Sequence, residues 1–195
     1  MILYFDTETT GLHPGQICQL TYILQDKNGV QAKNFFFSVD YVEFSAQMVH
    51  GFSKEKLFIL SNGKAFSDHF EEIKSDFESA DVVVAHNVSF DFSFMRKEFE
   101  RMGEIFKTKQ EFCSMKKTTP ICKLKRTTTN AYKYPKLAEL CAFLGITNQD
   151  IQEQNVKLFN ENVSFHDARF DTTAVYLAVN KMIEKGLFVE LENYF

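Results

Sequence analysis

Tryptophan is absent from this 195-residue sequence, no two cysteines stand in a C-x-x-C arrangement, and no apolar run reaches membrane-spanning length. The missing cysteine pairs argue against a zinc site built on thiolates. Cys18, Cys113, Cys122 and Cys141 therefore read as reduced thiols of a cytoplasmic protein, an expectation that the lack of a signal peptide supports. A bilayer span needs about 20 apolar residues, so no membrane partner is expected. Excess positive charge is missing too. A formal net charge of −4 excludes a generally basic nucleic-acid binder, although a local basic stretch remains able to bind polyanions.

What is abundant is phenylalanine, with 22 residues, and these are expected to dominate the core. The length suits one domain, 1–195, large enough to bury a substantial core. Along the chain, Ile2 to Phe5 reads as a strand leading into Asp6 and Glu8. Ile17 to Gln25 and Gln31 to Val39 read as two more strands, reversed at Asn28-Gly29. Short helical turns are expected over Ser45 to Val49 and from Ser53 onward, and a helix over Lys64 to Ser79 with Phe66, Phe70, Ile73 and Phe77 at helical spacing. A buried strand over Asp81 to His86, a helix from Phe90 to Met102 and a short strand over Glu111 to Met115 follow. Lys116 to Lys136 is too irregular to assign. Leu137 to Leu144 reads as a helix, Ile146 to Ser164 as a polar insertion with about one set of helical turns, and Asp167 to Lys185 as the last long helix. Strands first, then strands alternating with helices, indicate an α/β fold with a mixed five-stranded sheet flanked by helices.

The chemistry-bearing residues sit where these elements begin and end. Strand side chains alternate, so Asp6 and Glu8 point to one side, before the Thr9-Thr10-Gly11 turn. Two carboxylates aimed together repel unless one is protonated or a cation lies between them. Hard divalent ions such as Mg²⁺ favour such oxygen ligands. Further downstream, His86-Asn87-Val88-Ser89-Phe90-Asp91 opens one helix, and His166-Asp167-Ala168-Arg169-Phe170-Asp171 opens the last. Each acid has an ordinary reading: Asp91 as a carboxylate favoured by the helix dipole, Asp171 as a surface acid. His166 and Asp171, five apart, would lie about 140° from each other on one helix, so the histidine belongs on the preceding loop.

Taken in order, D-x-E-T-T-G-L, H-N-x-x-F-D-x-x-F-M and H-x-x-x-x-D resemble the DEDDh 3′→5′ exonucleases, with the proofreading (epsilon) subunits of bacterial replicative DNA polymerases as the nearest likeness. The resemblance covers most of the chain. It implies a ribonuclease H-like fold and two Mg²⁺ or Mn²⁺ ions held by Asp6, Glu8, Asp91 and Asp171. In such a site the ions lower the pKa of a water and stabilise the leaving 3′ oxygen, while His166 takes the water's proton. Met48-Val49-His50-Gly51 matches a family segment lining the terminal-nucleotide pocket, which makes Val49 and His50 expected substrate contacts. Thr9, Leu12 and Phe90 are further candidates, and Asn87 either fixes its loop or touches substrate. His13, His69 and His86 read as structural or surface residues.

The implied activity is removal of nucleoside 5′-monophosphates from nucleic acid 3′ ends, single-stranded DNA foremost. An exoribonuclease acting on RNA ends is the first alternative, since no residue here reports on a 2′-hydroxyl. A non-catalytic accessory subunit is the second, and retention of all four acids and the histidine speaks against it. A polymerase is a candidate partner by resemblance. No glutamine-rich segment follows the final helix, so a free-standing exonuclease is an equal expectation. Relatives often carry Asp-Thr or Asp-Ser where this chain has Cys113-Ser114. Lys116 to Lys136 holds seven basic residues and no acid, so a phosphate-tracking role stands beside that of a solvated loop.

Overall fold

The structure, a computed structural model, describes residues 1–127, 129 and 131–194. Its centre is strand β1 (Ile2–Thr9), which carries Asp6 and Glu8 within the strand itself. β1 pairs antiparallel with β2 (Ile17–Asp26), and β2 with β3 (Gly29–Phe36). On its other side β1 pairs parallel with β4 (Val82–Ala85), and β4 with β5 (Glu111–Cys113). The spatial order is β3-β2-β1-β4-β5, a mixed five-stranded sheet. Because β1, β4 and β5 run in parallel, their carboxyl ends share one edge of the sheet.

Alternation along β1 divides the interior into two layers. Leu3 and Phe5 face a core shared with Phe70, Ile73 and Phe77 of helix α3 (Phe70–Ser79) and Phe92, Met95 and Phe99 of α4 (Val88–Arg101). Ile2 and Tyr4 face the opposite core, with Leu140 and Leu144 of α6 (Leu137–Leu144) and Ala174, Val175 and Ala178 of α8 (Ala168–Glu184). The phenylalanines do fill the first layer. Phe5–Phe77, Phe77–Phe106 and Phe99–Phe106 meet edge to face with ring centroids 5.2, 5.6 and 5.0 Å apart, an arrangement favoured by ring quadrupoles. A third cluster, Cys18, Val39, Phe52 and Leu57, lies under α1 (Phe44–His50) and α2 (Lys54–Leu60).

Several boundaries differ from the sequence expectation. The helix expected from Lys64 begins instead with a 3-10 turn, Phe66–His69, before α3. β3 stops at Phe36, and Phe37 N–H donates to Cys18 C=O across the loop that follows. The polar insertion is a full helix, α7 (Asn148–Phe159). Thr147 and Asp150 cap it reciprocally, while Ile151 and Asn155, four residues apart, are its buried contacts. Leu158 and Phe159, partly buried against the same core, continue that face, so one polar position interrupts an otherwise apolar stripe. The start of the basic stretch is also helical, α5 (Ser114–Cys122), despite Pro120 inside it. Thr118 and Thr119 hydroxyls donate to the carbonyls of Ser114 and Met115, occupying acceptors within the turn that the proline disturbs. A closing 3-10 segment, Val189–Tyr194, was not expected from sequence; Leu191 and the preceding Phe188 are buried. Among the described residues, no helix is long and apolar enough to cross a membrane.

Candidate active site

Asp6 and Glu8 project from the same face of β1 as Ile2 and Tyr4, toward α8, which brings Asp171 in its first turn. Asp91 arrives from the other layer, on the first turn of α4. Thr7, between the two strand acids, points to that other side, and its hydroxyl donates to Asp91 Oδ1 at 2.8 Å. The acids therefore meet around the end of the sheet rather than on one of its faces.

Electrostatics reflect the meeting. Burial, then Asp91, Asp171, Glu8 and Asp167, hold the Asp6 carboxyl well above the usual carboxylate range. Burial, then Asp171, Asp167 and Asp91, raise Glu8 in the same way. Burial pushes Asp91 up to about 7, against the lowering effect of the Thr7 hydroxyl. Burial pushes Asp171 up to about 7 as well, opposed by the backbone N–H of His166. No lysine or arginine among the described residues makes an ion pair with these four acids. An oxygen-rich, uncompensated donor set of this kind fits hard divalent cations. Glu8, His166 and Asp171 each offer a ligand atom, all within 4.8 Å of one another.

His166 precedes α8, as its spacing from Asp171 implies, and takes a left-handed φ of 64°. Its backbone N–H donates to Asp171 Oδ2 at 3.1 Å, leaving the imidazole free of a side-chain tether. The segment is held by Phe165 packing on Phe170 and by Asp167, the N-cap of α8. Asp167 accepts from Arg169 Nε at 2.8 Å, Arg169 Nη2 at 2.7 Å and Gln19 Nε2 at 3.0 Å. Burial raises the Asp167 carboxyl, but the Arg169 and Gln19 bonds outweigh it and the net shift is downward. Arg169 also pairs with Glu161 beyond the end of α7. Sequence reading passed over Gln19, Asp167 and Arg169. Their only sequence signal is an acid and an arginine two apart at a helix start, a pattern easily taken for ordinary capping.

Beside the acids lies a cavity of about 280 Å³ whose lining includes Glu8, Thr9, Leu12, Val49, His50 and Phe90. Five of the six expected substrate contacts are thus brought together. Thr9 donates its hydroxyl to Gly11 C=O at 2.9 Å, and Leu12 stands 76% exposed at the rim. A Cβ on Gly11 would lie 2.4 Å from the Glu43 carboxyl, the far end of an exposed side chain that would have to swing aside. His50 is buried and turns its ring toward Phe52 at 5.1 Å. Its Nδ1 accepts from Phe52 N–H at 3.0 Å, so Nε2 carries the proton and donates to Thr9 C=O at 3.1 Å. Burial lowers its pKa, in keeping with that neutral ring.

Asn87 is the exception. It does not line the cavity; it occupies the left-handed turn at the start of α4, with φ 78°, which re-aims the chain from β4 toward Asp91. Of its two expected roles, loop fixing is the one its position fits. His86 is structural: Nε2 donates to Pro135 C=O at 2.9 Å, and Nδ1 meets the Ser114 hydroxyl at 3.0 Å. Ser114 thus serves to orient that ring.

The architecture is shared with solved exonucleases. Exonuclease X in complex with 5′ overhanging duplex DNA matches with TM-score 0.55 and 16% identity, covering 95% of this chain and 93% of that one. The zinc-bound form of the E. coli ExoI–ssDNA complex matches with TM-score 0.63 and 17% identity over 97% of this chain and 42% of that one. Its metal-free form matches with the same score and identity. The chain therefore spans less than half of the length of ExoI. At these identities the likeness shows the fold, which is ribonuclease H-like. No curated protein matches in sequence. The family model RNase_T, described as Exonuclease, matches residues 3–176, from β1 well into α8 and through every carboxylate of the cluster. By that match the chain belongs to the RNase_T exonuclease family.

Proposed function

We propose that this protein is a metal-dependent 3′→5′ exonuclease that releases nucleoside 5′-monophosphates from single-stranded DNA ends. The observation carrying this reading is the convergence of Asp6, Glu8, Asp91 and Asp171, from three separate segments, beside a cavity walled by Leu12, Val49 and Phe90. Asp6, Glu8, Asp91 and Asp171 would hold two Mg²⁺ or Mn²⁺ ions. Such ions supply the Lewis acidity that makes water nucleophilic at neutral pH and offsets charge on the departing oxygen.

The chain's own residues supply the rest. Leu12, Val49 and Phe90 give the terminal nucleotide apolar walls, and Thr9 offers a hydroxyl beside them. Water adds to phosphorus, the bond to the 3′ oxygen breaks, the His166 imidazole accepts the proton that water loses, and the departing 3′ oxygen takes a proton from solvent. Its loop position lets the ring move between proton uptake and release to solvent, while the backbone bond to Asp171 keeps it at the site. The motif likeness to proofreading subunits supports a finer reading as an editor of newly made DNA ends, with a polymerase as partner. The test is digestion of end-labelled single-stranded DNA, mismatched-primer DNA and RNA with Mg²⁺, Mn²⁺ or EDTA. Expected is stepwise, metal-dependent loss from the 3′ end, blocked by a bulky 3′ group and indifferent to a 5′ block. Release of 3′-monophosphates, or chief activity on a circular single strand, would overturn the mechanism. Faster digestion of RNA would reassign the substrate.

A further inference from the structure

An acidic site has a difficulty with a polyanionic substrate: its own charge gives the approaching strand no attraction. The chain's net charge of −4 adds none. Positive charge does gather in one place. Between α5 and α6, Lys125 is bridged antiparallel to Tyr132. Arg126 N–H donates to Ala131 C=O at 3.1 Å and Lys133 N–H to Leu124 C=O at 2.8 Å.

Two cations of the stretch are committed elsewhere, Lys117 to Glu190 and Lys133 to Glu139. Lys123, Lys125, Arg126 and Lys136 are exposed and make no ion pair among the described residues. Tyr132 and Tyr134 stand beside them, 42% and 52% exposed. The root of this arm is fixed to the active-site edge of the sheet. Pro135 C=O accepts from His86, the residue that joins the end of β4 to the α4 turn carrying Asp91. Beyond the arm, α6 packs on α8, the helix that carries Asp171 in its first turn. Leu124 anchors the start of the arm on the same core.

We propose that the arm, through Lys123, Lys125, Arg126, Lys136, Tyr132 and Tyr134, grips a single-stranded polynucleotide upstream of the 3′ end held in the cavity. The inference rests on the exonuclease reading for the position of that end. Alternation of unpaired cations with exposed aromatic rings suits a single strand, whose phosphates are neutralised while its bases stack; a duplex hides its base faces. The arm makes affinity depend on strand length, so a 20-mer should gain more from it than a dinucleotide does.

Binding tests the arm and hydrolysis tests the site. The probe is a fluorescent 20-mer of single-stranded DNA with phosphorothioate linkages at its 3′ end, followed by anisotropy in Mg²⁺ over a range of salt. Replacing Lys123, Lys125, Arg126 and Lys136 by Gln should weaken binding about tenfold or more at low salt. It should also flatten the slope of log K against log salt by up to about 0.7 for each phosphate that is no longer neutralised. The charge-keeping change of the three lysines to Arg should retain both. Tyr132→Leu with Tyr134→Leu should weaken binding to a similar extent at every salt concentration. Hydrolysis of a dinucleotide should be unchanged in all three variants. An unaltered salt slope in the glutamine variant overturns the proposal, as does equal loss on dinucleotide and 20-mer. Unchanged binding in the tyrosine variant removes the stacking that favours a single strand and overturns that assignment. Failure of the wild type to hydrolyse either substrate would sink the exonuclease reading while the binding result still decides on the arm.

Discussion

The acidic cluster and the basic arm are opposites in construction. The cluster is buried, carries charge of one sign, and draws its members from β1, α4 and α8. The arm is exposed, carries the other sign, and comes from one short run of chain. Like charges can be held together in the interior only if the scaffold forces them, so the cluster depends on two packed layers and a sheet end. Like charges at the surface are screened over about 10 Å at moderate salt and need no scaffold beyond a bridged segment. One region spends stability on chemistry; the other adds attraction with little demand on the fold.

The largest test breaks the cluster. Replacing any of Asp6, Glu8, Asp91 or Asp171 by Ala should abolish hydrolysis while circular dichroism stays that of the folded chain. In EDTA, the melting temperature of Asp6→Ala should rise, since a mutually repelling carboxyl is gone. Activity surviving in one variant would remove that residue from the set. Next comes His166→Ala, for which turnover should fall roughly 10²–10⁴-fold, the usual contribution of a positioned acid–base group. Calorimetric Mg²⁺ titration should remain close to wild type. A loss of affinity matching that of Asp171→Ala would instead make His166 a ligand alongside Glu8, a role compatible with their 4.8 Å grouping.

Arg169→Leu probes the hold on the His166 segment. Released from its bonds, Asp167 adds unbalanced negative charge beside Asp171. Turnover should drop by about 10–100-fold, the range seen for residues that orient a metal site's groups. Arg169→Lys should restore only part of it, because a single ammonium cannot reproduce the forked contact. Full activity in Arg169→Leu would show the network to be structural only.

The pH dependence of the metal-free protein gives a smaller effect of definite sign. Asp91 and Asp171 titrate at about 7 in the fold, above the ordinary carboxylate value near 3.9. Between about pH 4 and 7 the folded state holds protons that the unfolded chain has released, so stability falls as pH rises through that window. Melting in EDTA should therefore be higher near pH 5 than near pH 8, with Mg²⁺ raising the latter value. The reverse order would mean that the acids are not crowded as described. The smallest effect belongs to Lys117→Ala. Its partner Glu190 is exposed, and such pairs contribute under about 1 kcal/mol. Neither stability nor the salt slope of DNA binding should change measurably, in contrast to the unpaired cations of the arm.

How much of this was legible before the structure follows the same division. Strand alternation paired Asp6 with Glu8, whereas Asp91, His166 and Asp171 had ordinary readings of their own and joined the set through motif likeness. Val49, His50 and the turn residues were found through motif likeness rather than periodicity. The arm was visible only as composition, since a segment closed by two backbone bonds leaves no pattern in side chains. Helix α7 was hidden because the polar Asn155 interrupts its inward stripe of Ile151, Leu158 and Phe159. Asn87 was the reverse case, a residue in a familiar motif whose local φ, rather than its amide, is what the fold uses. Gln19 was illegible because its bonds to Asp167 and to the Ala168 N–H join residues 148 and 149 positions apart.

Thr7 donates across to Asp91 while its neighbours Asp6 and Glu8 face α8, so the acids straddle the rim of the sheet. The distance between Asp91 and the other three is consequently a gauge of how the two helical layers are registered against each other. A cavity made far away in the phenylalanine layer, by Phe99→Ala for instance, is expected to shift α4 relative to α8 and with it the spacing of the four acids. Under the proposed function, substitutions remote from every acid would thereby alter which divalent ion supports activity, without touching an acid.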